Sequence, residues 1–219
     1  MNKSPIAALL TAPLRKSLGL PEQGFVFCCF NSPCKLSAET LAAWASILSA
    51  VPGSVLWLLD DEDEPPAKLR ERARGLGLDP QRLVFAAPTS REAYLANFAA
   101  ADLFLDTLPH NTGTTAGDAF WMGLPVLTLT QMGHPLPARM AASLLEAAAL
   151  PELIARDADE YVALAIGLAA VPARLNALRR RLVSSSSTQR LFDAPTFSRS
   201  LEAAFQRAQA LALSTRIDH

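Results

Sequence analysis

Lysine is scarce in this chain of 219 residues: among its 20 basic residues only Lys3, Lys16, Lys35 and Lys68 are lysines, so one that falls in a candidate binding loop is informative. Also absent are Gly-x-Gly-x-x-Gly and a Gly-x4-Gly-Lys-Ser/Thr loop, which removes the main support for a dinucleotide or P-loop site. There is no charge excess. Twenty basic against 21 acidic residues leave −1, whereas nucleic-acid and membrane-surface binders usually carry a basic excess. No apolar run approaches the roughly 20 residues that span a bilayer, so neither a nucleic acid nor a membrane is an expected partner. The short apolar stretch at residues 6–10 is followed by Pro13, Arg15 and Lys16 without a convincing cleavage site, and it does not read as a signal peptide. Only Cys28, Cys29 and Cys34 occur, an odd and crowded set. That is no disulfide framework and too few ligands for zinc. They read as small apolar side chains in a reducing compartment, and a cytoplasmic location is expected.

What is present is an alternation of short apolar runs with amphipathic segments. Residues 25–30 read as a buried strand, and Ser37 caps a helix to about residue 50, with Leu41, Trp44, Ile47 and Leu48 at helical spacing. Further strands are expected at residues 54–59, 82–85, 102–105 and 125–128, with helices from Pro65 to Gly75 or Gly77, over 90–99 and over 114–122. The acidic stretch Asp60 to Glu64 reads as a solvated loop. Strands separated by helices of this length imply βαβ units and a parallel sheet. Beyond Pro137 the pattern is nearly all helix, over residues 138–147, 158–168, 172–183 and 198–213. In the closing helix Phe197, Leu201 and Phe205 share one face. Packing back on its own domain is the ordinary expectation, and pairing with a second copy the alternative.

In such sheets ligands bind beyond the carboxyl ends of the strands. The segment LDTLPHNTGTTAGD, Leu105 to Asp118, takes the chain from a strand through a small polar loop to a helix start at Thr114 and Thr115. Backbone N–H groups at a helix N-terminus, with threonine hydroxyls beside them, suit a diphosphate, and Asp118 one turn on can accept from ribose hydroxyls. A plain helix cap at Thr114 explains the same residues. Lys35 follows the first strand at the same sheet edge, where it can neutralise phosphate charge or simply face solvent. Arg91, Tyr94 and Asn97 fall at i, i+3 and i+6 of one helix and can frame a nucleoside or form a solvated face. His110 and His134 have no nearby acids and make no metal motif.

Taken in order, these segments resemble the C-terminal catalytic domain of O-linked N-acetylglucosamine transferases, including their bacterial members and the plant SPINDLY proteins. The resemblance rests on Leu20, Cys29 to Asn31 and Lys35; on VPGSVLWLL from Val51; on QRLVF from Gln81; and on ADLFLDT from Ala101. It continues through Thr114, Thr115, Asp118, Trp121, Gly123, Pro125, Arg139, Ser143 and LFD from Leu191. It implies an α/β fold: a Rossmann-like parallel sheet flanked by helices, as in the C-terminal domain of a GT-B glycosyltransferase, with a helical C-terminal extension. The expected division is a linker or helix over residues 1–20, a UDP-sugar-binding domain over 21–183, and a hinge, at Ser184 to Ser187, with a last helix over 184–219.

The resemblance further implies donor binding for a protein O-glycosyltransferase that moves N-acetylglucosamine or a related hexose to Ser or Thr. The alternative is a lone, non-catalytic UDP-binding or regulatory module. Lys35 would meet the β-phosphate and stabilise the leaving UDP. Thr114 and Thr115 would hold the diphosphate, Asp118 the ribose, Arg91 would stand near the ribose, Tyr94 against uracil, and Ser32 beside the phosphates. Neither cofactor nor metal is expected. The partners implied are a UDP-sugar, a protein acceptor, an N-terminal catalytic domain and tetratricopeptide repeats that this sequence does not contain, and a second copy through the cleft face. Gly113 stands where the family typically has histidine, Ser32 where a longer polar side chain is common, and the loop at His134 departs from the usual Gly-Glu-Thr-like one.

Overall fold

The computed structural model describes residues 15–130, 135–184 and 191–215, the last five of these as backbone only. His134, most of the serine stretch read as a hinge, and residues 1–14 of the expected N-terminal linker lie outside the described residues. The apolar runs become strands β1 (Val26–Cys29), β2 (Val55–Leu59), β3 (Leu83–Ala86), β4 (Leu103–Leu105), β5 (Val126–Leu129) and β6 (Ile154–Ala155). Between and after them lie α1 (Ala38–Ala50), α2 (Pro66–Gly75), α3 (Arg91–Phe98), α4 (Thr114–Trp121), α5 (Met140–Ala147), α6 (Ala158–Ala170), α7 (Pro172–Ser184) and α8 (Ala194–Thr215).

All strand pairs are parallel, in the order β3-β2-β1-β4-β5-β6. Central β1 places Cys28 beside Trp57 of β2 and Phe104 of β4. Every residue of β1 and β5 is buried, as a parallel sheet covered on both faces requires, and this is why their sequences are continuous rather than alternating apolar runs. Helices α3, α4 and α5 form one packed row, α1 packs against α6, and α7 touches both α6 and α4. The helix starts are chemically marked. Side chains of Ser37, Ser90 and Asp157 accept hydrogen bonds from the Thr40, Ala93 and Glu160 N–H groups, satisfying donors that a first turn leaves free. Among the described residues no single helix is long and apolar enough to cross a membrane.

Three expectations are corrected. The region after Pro137, expected to be nearly all helix and without a strand, also holds one, because Ile154 and Ala155 add a sixth strand beside Thr128 and Leu129. Two residues carry no periodicity, and only the neighbouring β5 makes them a strand. The acidic stretch is not wholly solvated: the Glu64 side chain is 13% exposed and is bound by Lys68 at 2.7 Å and Arg72 at 2.8 Å. The closing helix leaves Phe197, Leu201 and Phe205 exposed rather than packed back.

Candidate functional site

The strand order reverses between β1 and β4, so the connections leaving their carboxyl ends diverge and open a crevice. On the β1 side, Pro33–Lys35 forms a single 3-10 turn that leaves Ser32 exposed and Lys35 half-buried. The Lys35 ammonium donates to the backbone carbonyl of Asn111 at 3.1 Å. The positive charge expected at this sheet edge therefore stands on the loop that leads into α4.

That loop, residues 106–113, is braced from within. Asp106 is completely buried. Its Oδ1 accepts from the Thr107 N–H at 2.8 Å, the Thr112 N–H at 2.7 Å and Asn31 Nδ2 at 3.3 Å, while its Oδ2 accepts from the Thr128 hydroxyl at 2.6 Å. Burial pushes its carboxyl up to about 6, against the pull of these four donors. Asn31 Nδ2 also donates to the Thr107 hydroxyl at 2.8 Å, and that hydroxyl donates to the His110 carbonyl at 2.6 Å. From α1, the Thr40 hydroxyl both donates to the Leu108 carbonyl and accepts from the Leu108 N–H, each at 2.9 Å. Asn111 is tied to the Thr107 carbonyl by its side chain, at 3.1 Å, and to the Pro137 carbonyl by its N–H, at 2.9 Å.

The braced loop delivers the start of α4. The capping position is Gly113, not Thr114, and no side chain caps it. Ala116 and Gly117 donate to the Gly113 carbonyl, so the N–H groups of Thr114 and Thr115 are the ones that helix geometry leaves facing outward. Thr114 is exposed and Thr115 half-buried. An uncapped helix start with a lysine on the preceding loop is an anion-attracting arrangement.

The β3–α3 connection supplies the third wall. Arg91 grips Asp118 of α4 with two hydrogen bonds, of 2.8 and 2.5 Å, and its guanidinium lies 5.3 Å from the centre of the Tyr94 ring. Tyr94 rests on Phe30 and Phe98, with ring centres 5.9 and 5.2 Å away. Burial first, then the Asp118 charge, pushes its phenol up to about 12, so it is a neutral donor at physiological pH. Arg91, Tyr94 and Asn97 line one cavity of about 440 Å³ together with Asp60, Ala87 and Thr89. Their spacing at i, i+3 and i+6 puts these three on one helix face. The structure adds that Asp118, expected to be free for a ribose, is already partnered by Arg91.

Three further candidates belong to the same loops, with different contacts. The Ser32 hydroxyl is 3.2 Å from the Cys34 sulfur, both exposed. His110 contributes its carbonyl to the loop. Gly113 is crowded: a Cβ there would meet Met140 Cε at 2.7 Å, so the thioether stands where a side chain on residue 113 would begin. Among the described residues no cluster of three or more His, Cys, Asp or Glu could hold a metal ion. The sequence gives no individual role to Thr40, nor to Asp106, Thr107, Asn111 and Thr112 within the segment from Leu105 to Asp118. A carboxylate placed directly after the apolar run Leu103–Leu105 was the available signal, since a charge at the buried end of a strand needs several donors.

The profile of glycosyl transferase family 41 matches residues 2–201. The chain belongs to this family. It is 34% identical over 198 residues to a UDP-N-acetylglucosamine--peptide N-acetylglucosaminyltransferase of Caenorhabditis elegans, covering 90% of this chain and 17% of that protein. It is 33% identical over 188 residues to a probable enzyme of the same name, SPINDLY, of Solanum lycopersicum, covering 84% of this chain and 20% of that one. Among solved structures, a mutant O-GlcNAc transferase of Thermobaculum terrenum superposes with a TM-score of 0.74 at 34% identity, over 84% of this chain and 36% of that chain. The UDP complex of HepE from Anabaena superposes with a TM-score of 0.65 at 19% identity, over 94% and 56%, a likeness of fold. The six-stranded parallel sheet with flanking helices is thus the Rossmann-like fold of a GT-B glycosyltransferase domain. The chain spans about a fifth of the length of these curated relatives.

Proposed function

We propose that this family 41 domain binds the UDP moiety of a UDP-sugar and serves as the donor half of a protein O-glycosyltransferase, with N-acetylglucosamine as the first candidate sugar. The observation that carries the reading is the Lys35 ammonium held 3.1 Å from the Asn111 carbonyl, on the loop that leads directly into the uncapped N-terminus of α4. The names of the relatives at 33–34% identity supply the nucleotide and the sugar.

In this reading the diphosphate lies against the Thr114 and Thr115 N–H groups and hydroxyls, with Lys35 beside the β-phosphate. The nucleoside extends towards the cavity lined by Arg91, Tyr94 and Asn97, and Asp118 exchanges part of its bond to Arg91 for the ribose hydroxyls. The acceptor oxygen attacks the anomeric carbon as the bond from that carbon to the β-phosphate oxygen breaks. The electron pair leaves with UDP, whose growing negative charge Lys35 and the α4 N-terminus stabilise. With these positive groups on the diphosphate, a bridging cation is not required. The base that takes the acceptor proton and the wall that aligns the acceptor would come from a second domain.

Isothermal titration with UDP, UDP-N-acetylglucosamine, UDP-glucose and NADH tests the reading. Saturable heats with the uridine nucleotides and none with NADH are expected. A folded protein that gives no heat and no melting shift with millimolar UDP would refute it.

A further inference from the structure

We infer that Asp106, which never needs to touch the ligand, is the positioning residue that holds the two anion-binding loops in register. The inference rests on the reading of those loops as the donor site. One buried carboxylate gathers donors from three separate segments: Asn31 at the end of β1, Thr107 and Thr112 in the loop before α4, and Thr128 on β5. The Thr112 N–H lies one residue before the Gly113 cap of α4 and six residues from Asp106 itself. That bond therefore closes the loop on its own beginning and sets where the N-terminus of α4 points.

The Asn31 bond carries the same constraint to the loop of Lys35. Asn31 is two residues before the Pro33–Lys35 turn, and its amide also holds Thr107. The Lys35 ammonium then returns to Asn111. A cycle of contacts thus runs from Asp106 to Asn31, along the chain to Lys35, across to Asn111 and back through Thr107. The backbone on either side of Asp106 is fixed as well. Its N–H pairs with the Leu127 carbonyl, and its carbonyl accepts from the Tyr161 hydroxyl at 2.9 Å, which in turn accepts from the Trp44 indole at 3.1 Å.

A charged group buried this completely costs stability unless it is well solvated by donors, and a neutral residue of the same shape would cost less. What the carboxylate supplies is acceptor capacity: one oxygen takes three N–H donors at once, two of them backbone. Asparagine can keep those three on its carbonyl oxygen while its amide donates to the Thr128 hydroxyl. Alanine keeps none.

The test compares wild type, Asp106→Asn and Asp106→Ala for affinity towards UDP-glucose by calorimetry, and for amide hydrogen exchange at Thr107 and Thr112 by NMR. Expected are slow exchange and affinity within about threefold of wild type for Asp106→Asn, against fast exchange at both amides and at least tenfold weaker binding for Asp106→Ala. If Asp106→Ala does not fold, Asn31→Ala, which cuts only the bridge between the loops, decides the matter: a loss of threefold or more in affinity supports the inference and an unchanged affinity overturns it. Unchanged exchange in a folded Asp106→Ala protein overturns it, as does an Asp106→Asn protein no better than Asp106→Ala. Should wild type bind no uridine nucleotide, the donor-site reading fails by itself, and the exchange measurement still decides whether Asp106 orders the loops.

Discussion

Replacing Lys35 by methionine removes the charge while keeping an unbranched apolar stem of similar length, so the half-buried part of the side chain continues to pack. In the free protein the substitution costs a single hydrogen bond to the Asn111 carbonyl. Net contributions of such bonds are about 1 kcal/mol, and the melting temperature is expected to fall by only a few degrees. In the UDP complex the same ammonium faces a diphosphate, and a charge-assisted contact of that kind contributes roughly 1.5–3 kcal/mol. At 1.4 kcal/mol per factor of ten, this is a loss of about 10- to 150-fold in UDP affinity. Because the site is half-exposed, salt screens part of the attraction, and the ratio of wild-type to variant affinity should shrink between 50 and 500 mM NaCl. Calorimetric titration at both salt concentrations measures it. A folded Lys35→Met protein that binds UDP within twofold of wild type at 50 mM NaCl would remove Lys35 from the diphosphate site and with it the main support for the functional reading.

Asp118→Ala should weaken UDP about tenfold, the worth of charged hydrogen bonds, yet leave the affinity for 2′,3′-dideoxy-UDP unchanged; equal losses for both ligands would show that Asp118 acts only through Arg91. EDTA should leave UDP affinity unaltered, and a large loss on chelation would contradict a diphosphate held by Lys35 and a helix N-terminus alone. The chain by itself should bind UDP-N-acetylglucosamine but transfer nothing to a peptide pool in a radiolabel assay, because alignment of the acceptor needs a second wall; turnover would sink that argument. Asp106 carries a pH signature of definite sign. Its folded-state carboxyl is raised to about 6 from 3.8, so its contribution favours folding at low pH and is withdrawn as pH rises through both values. Facing it, Cys29 and Tyr161 are pushed up by burial and stay neutral throughout. Urea unfolding should show Asp106→Asn gaining on the order of 1 kcal/mol relative to wild type between pH 5 and pH 7.5, and no gain would place the carboxyl near its ordinary value.

The course of the chain was legible wherever a local rule applied. Continuous apolar runs such as VFCC and VLTL mark strands buried on both faces, and Ser37 and Ser90 mark helix starts, because periodicity and capping are properties of neighbouring residues. Lys35, Arg91, Tyr94, Thr114, Thr115 and Asp118 could be singled out for the same reason: the carboxyl ends of parallel strands and the first turns of helices are recognisable in order along the sequence. The pairing of Ile154–Ala155 with β5 was not, since a two-residue strand exists only where a neighbour accepts its hydrogen bonds.

Pairings across the sheet were equally hidden. Arg91 is 27 positions from the Asp118 it grips, Lys35 is 76 from the Asn111 carbonyl, and Asn31 is 75 from Asp106. Glu64 reads as one of five solvated acids until Arg72, eight residues away, folds back on it. Phe197, Leu201 and Phe205 form an apolar stripe whose exposure no pattern could reveal, because spacing says which residues share a helix face and not what that face meets. Sequence alone therefore determined the first five strands, the helices and the chemical character of the three loops, all of which follow from interactions over a few residues. Only the tertiary structure decided that a buried carboxylate at Asp106 fastens two of those loops together, because its donors become neighbours only after the parallel sheet has closed the long loops between them and dried the space around them.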